Sequence, residues 1–65
     1  MNRQERAADR ALNKRFQELF TKEQEDRMEF AVNIETAEAI VWRFTLDKKP
    51  IRMKYDFTTK KITVN

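Results

Sequence analysis

An α+β fold is predicted for this chain: one N-terminal amphipathic helix followed by a four-stranded antiparallel meander, α-β-β-β-β. Three observations predict it. Apolar residues recur at helical spacing through the first twenty positions. From Met28 onward the apolar period changes to two. The apolar runs are then separated by short polar connectors, "ETAEA", "DKKP" and "TTKK". The whole chain reads as one small domain, with the helix over about 3–21 and strands over about 28–35, 39–46, 51–57 and 61–65.

In the helix, Ala8, Leu12, Phe16 and Leu19 fall on one stripe at about 100° per residue, with Ala11 and Phe20 at its margins. Arg3, Arg6, Arg10 and Lys14 gather on the opposite side. Arg15 lies inside the apolar arc, where its stem can cover the core while the guanidinium reaches water. The helix ends within "TKEQEDR", because acids crowded near a helix C-terminus oppose its dipole. Thr21-x-x-Gln24 also reads as a capping box that would open a second helix.

In the strands, Met28, Phe30, Val32 and Ile34 alternate with Glu29, Ala31, Asn33 and Glu35. Ile40, Trp42, Phe44 and Leu46 follow, then Ile51, Met53, Tyr55 and Phe57, then Ile62 and Val64. Four-residue connectors pair Leu46 with Ile51, Phe44 with Met53, Trp42 with Tyr55, Phe57 with Ile62 and Tyr55 with Val64. A five-residue first loop sets Ile34 beside Ile40 and Val32 beside Trp42. All the strand aromatics then share one face, which is the expected core. The other face carries Glu29, Ala31, Val41, Arg43, Thr45, Arg52, Lys54 and Asp56, without a ring. Readers of single-stranded nucleic acid stack bases on rings that point away from the core, so this arrangement favours packing over stacking.

A sheet of four strands at about 4.8 Å spacing is wider than one helix of about 10–12 Å. Part of the apolar face should therefore lie uncovered, and a two-fold homodimer is the simplest way to bury it.

Composition excludes several kinds of chemistry. Among 65 residues there is no His, Cys, Gly or Ser. That removes the usual zinc ligands, the Ser–His and Cys–His nucleophile pairs, and the glycine loops that cradle phosphate or calcium. Neither a catalytic site, a metal site nor a cofactor is expected. The acidic run Glu23, Glu25, Asp26 and Glu29 reads as a solvated connector. The segment Val41–Phe57 resembles the hairpin of small toxin-module ribonucleases that work with Arg, Lys and Tyr. It departs from them in lacking the glycine turn and in placing Tyr55 on the core face, which counts against an enzyme.

The charged opening "MNRQERAADR" and the lack of a long apolar run make the cytoplasm the expected location, with no membrane partner. The net charge of +3 is unevenly placed. Residues 1–22 sum to +3, 23–47 to −5 and 48–65 to +5. Arg43, Arg52 and Lys54 form a compact basic group on the outer sheet face, with Arg43 expected opposite Lys54 and relieved by Glu29 or Asp56. These three and the helix residues Arg3, Arg6, Arg10 and Lys14 are the candidate interaction surface. The expected function is a small non-enzymatic, self-associating module, in the manner of bacterial or phage accessory proteins, with an unidentified protein partner. The alternative is a regulator that grips nucleic acid phosphates through the same basic residues.

Overall fold

The computed structural model describes residues 2–65. Helix α1 spans Arg3–Leu19 and a short helix α2 spans Lys22–Asp26. Four strands follow: β1 Glu29–Glu35, β2 Ala39–Leu46, β3 Lys49–Asp56 and β4 Ile62–Val64. They form an antiparallel sheet in the order β1-β2-β3-β4, so the fold is an α+β meander.

Each helix begins on a side-chain cap. The Glu5 N–H donates to Asn2 Oδ1 at 2.8 Å, opening α1. Thr21 opens α2 through a complete capping box. Its hydroxyl accepts from the Gln24 N–H, and the Gln24 side chain accepts from the Thr21 N–H at 2.8 Å. The break between the helices lies at Phe20, whose backbone is extended.

The buried face of α1 is the row Ala8, Leu12 and Phe16, continued by half-buried Phe20. These are successive i+4 positions, the ridge that lies inclined to a helix axis. Leu19 falls off this row and is 42% exposed, contrary to its expected place on the stripe. Phe20 takes its place: Phe16, Phe20 and Phe44 form a ring cluster with centroids 5.0–5.8 Å apart. The sheet contributes Ile40, Phe44, Leu46, Met53 and Tyr55, all from β2 and β3.

The expected pairings are corrected at all three hairpins. Between β2 and β3, Leu46 faces Lys49 and Phe44 faces Ile51, because the turn is only Asp47–Lys48. Both turn residues have positive φ, 51° and 67°, as the tight hairpin turn with matching twist requires. Between β3 and β4, Tyr55 faces Ile62 and Met53 faces Val64. Both changes amount to two residues, so the faces of β2, β3 and β4 are kept.

The first hairpin differs by one residue. Glu35 pairs with Ile40, Ile34 with Val41, Asn33 with Trp42 and Val32 with Arg43. Thr36 makes the loop one residue shorter than expected. Its N–H donates to the Ala39 carbonyl at 2.9 Å, and its hydroxyl accepts from the N–H groups of Ala39 and Glu38 at 3.1 and 3.3 Å. A shift of one residue sends every side chain to the opposite face. Val32 and Ile34 therefore turn outward, 53% and 36% exposed, instead of joining the core. An irregularity between Glu29 and Val32 restores Glu29 opposite Thr45, with Phe30 at φ 55° and 78% exposed.

Two expected outcomes follow. Leu12 is fully buried, so Leu12→Ala should cost about 2–5 kcal/mol and remove the cooperative thermal transition seen by circular dichroism, whereas Leu19→Ala should leave the transition near its original temperature. Lys48→Gly should stabilise by up to about 1 kcal/mol, raising Tm by a few degrees, because glycine takes φ 67° without a Cβ penalty.

Candidate interaction surfaces

Three surfaces emerge. The first is the outer sheet face. The shifted β2–β3 register sets Arg43 directly opposite Arg52, correcting the expected Arg43–Lys54 pair, and Lys54 now faces Val41. All three basic residues are exposed. Among the described residues the one ion pair is Arg27–Asp47 at 3.3 Å, so neither Glu29 nor Asp56 bridges this group as expected. The Asp56 carboxylate is engaged elsewhere. It accepts from the N–H groups of Thr59 and Thr58 at 3.0 and 2.8 Å, which hold its pKa below the usual aspartate value, with a smaller push from the Lys54 charge. Arg43, Arg52 and Lys54 line a shallow depression of about 290 Å³ together with Ile34 and Val41, so this face mixes cations with aliphatic surface.

The second surface is the helix stripe. Arg3, Arg6, Arg10 and Lys14 are all exposed, and the first three border one shallow depression. Because α1 lays Ala8, Leu12 and Phe16 on the inner sheet face, this stripe and the Arg43–Arg52–Lys54 group look away from each other. The expected site residues are thus two groups on opposite sides of the molecule.

The third surface is where the sheet outruns its helix. No residue of β1 is buried. Between α1, α2 and β1 lies an open cleft of about 280 Å³. Phe16, Met28, half-buried Trp42 and Phe44 form its apolar lining, and Asn13, Glu25, Asn33 and Arg43 are among its polar residues. It occupies the space that Phe30 was expected to fill from β1; Ala31, Val32 and Asn33 line it, and Phe30 does not. Sequence reasoning missed Phe30 and Trp42 as surface groups. The one available signal was Thr36, a residue able to close a tight turn through its own hydroxyl.

Glu35 of β1 lies near Glu5 of α1. The Glu35 pKa is raised, first by a side-chain hydrogen bond with Glu5, then by partial desolvation and the Glu5 charge. A carboxyl raised in the folded state favours folding as pH falls, and that contribution is lost as pH rises through its folded pKa. At neutral pH the two carboxylates repel.

Among the described residues no cluster of three His, Cys, Asp or Glu side chains can hold a metal ion, and no helix is long and apolar enough to cross a membrane. Comparison with family models, with curated proteins and with solved structures returns no match.

Glu35→Gln is therefore expected to raise the thermal midpoint at pH 7 and to lose that advantage towards pH 4, measured by circular dichroism melts across the interval.

Proposed function

We propose that this chain is a small non-enzymatic interaction module that self-associates, a second copy covering the part of the inner sheet face that α1 leaves open. The observation that carries this reading is the cleft beside edge strand β1, lined by Phe16, Met28, Trp42 and Phe44. Apolar surface of this kind, gathered at a sheet edge beside exposed Phe30 and Val32, is the usual material of protein interfaces. An acidic protein partner on the basic outer face completes the proposal, and its proposed setting is the cytoplasm.

A second reading is favoured by one observation. Arg43 and Arg52 oppose each other across the ladder with no ion-pair partner among the described residues, a placement that a phosphate backbone would relieve. The aliphatic neighbours Val32, Ile34 and Val41 argue for protein, since phosphates give them nothing to pack against.

Two measurements test the proposal. Sedimentation equilibrium should reveal dimer at high protein concentration. Fluorescence anisotropy with a labelled single-stranded or duplex oligonucleotide at low salt should show no saturable binding. Saturable binding that weakens steeply with salt, with a log–log slope of roughly −2 to −3 for three phosphate contacts, and that disappears in Arg43→Ala/Arg52→Ala/Lys54→Ala, would replace it with the second reading.

A further inference from the structure

Two features of β1 are costly for an isolated chain. Phe30 combines a left-handed backbone, φ 55°, with a ring that is largely in water. Next to it, the cleft leaves Trp42 half-buried and holds room for a ring that the chain does not supply. Both arise from the same one-residue change of register. Strained residues persist where something over-determines them, and here the fold alone gives Phe30 no contact worth the strain.

We infer that Phe30 of one copy seats in the cleft of a second copy, reciprocally, so that each gives one ring and receives one. The inference rests on the self-association reading above and names the residue that accomplishes it. The cleft presents Phe16, Trp42 and Phe44, faces and edges suited to an incoming phenyl ring. One charge pair is complementary as well: Arg43, which lines the cleft, is placed to meet Glu29, the neighbour of Phe30, of the second copy. Phe30 and the cleft also adjoin on one surface, since Met28, Ala31 and Val32 line the cleft on either side of Phe30 in the chain. A self-complementary patch under a two-fold axis requires that adjacency.

Trp42 is the sole tryptophan and lines the cleft, so its emission reports occupancy. The experiment is sedimentation velocity and tryptophan emission on the full chain from about 1 µM to 1 mM. A monomer-to-dimer transition accompanied by a blue shift of Trp42 is expected. Phe30→Ala should keep the wild-type melting temperature at about 1 µM, where both are monomeric, lose the shift and raise the dimer Kd at least tenfold. Asn33→Phe, which offers the cleft a ring from its own chain, should be monomeric with Phe30 intact, and serves if the first variant fails to fold. A dimer that survives these substitutions overturns the role of Phe30 and leaves self-association standing. A wild type that stays monomeric throughout overturns both. A blue shift independent of concentration and lost in Phe30→Ala overturns the second copy, assigning the cleft to the same chain's Phe30.

Discussion

The parity of one hairpin determines the character of the whole surface. Thr36 closes the β1–β2 loop with its own hydroxyl and amide, and this makes Glu35 the partner of Ile40. The four hydrogen bonds of that turn contribute at most a few kcal/mol. Burying Phe30, Val32 and Ile34 would contribute more, at about 1.5–3 kcal/mol for each full burial. The turn prevails because full burial is not on offer. A helix about 10–12 Å across covers two strands at about 4.8 Å spacing, and every buried sheet residue of the core cluster belongs to β2 or β3. With no helix above β1, its apolar side chains gain little from either face, and local turn chemistry sets the register.

A chain without glycine meets its sharp turns at a cost. Phe30, Asp47, Lys48 and Lys60 all have positive φ, where an L-residue is disfavoured by roughly 1–2 kcal/mol. At the β3–β4 loop part of that cost is offset by Asp56, whose carboxylate gathers the Thr58 and Thr59 N–H groups while its carbonyl accepts from Lys60. Asp47 is tied to Arg27 across the surface, a contact worth little in water. A domain of this size has a thin margin of stability, and association that favours the folded state would widen it by mass action.

Period and parity explain which features could be read from the residues. The helix stripe, the meander and the common face of Ile40, Phe44, Met53 and Tyr55 were legible, since errors of two residues in the later hairpins leave faces unchanged. The shortened first loop was not, because one residue of difference reverses the whole strand and its cause lies in one hydroxyl. The Asp47–Lys48 turn was hidden for a related reason: sequence reasoning looks for Asn or Gly at such positions, and this chain offers neither there. The basic residues were recognisable as candidates from charge alone. That Arg43 meets Arg52, and that the helix stripe faces away from both, needed the register and the layering.

Layering also constrains how the two basic surfaces can act. The molecule measures 31 × 20 × 18 Å, with α1 on one side of the sheet and the Arg43–Arg52–Lys54 group on the other. One straight nucleic acid backbone cannot follow both groups, so any phosphate binding would use one of them and only a few contacts. Packing two outer faces together would set like charges against each other, with Glu29 and Asp56 the outer-face acids among the paired sheet residues and Asp56 already engaged by the Thr58 and Thr59 N–H groups. Self-association by that route is unfavourable. The proposed contact through the cleft would leave most of each outer face free. The two proposed roles thus fall on separate surfaces, an apolar edge at β1 for a second copy and a basic, aliphatic face for a partner of opposite sign.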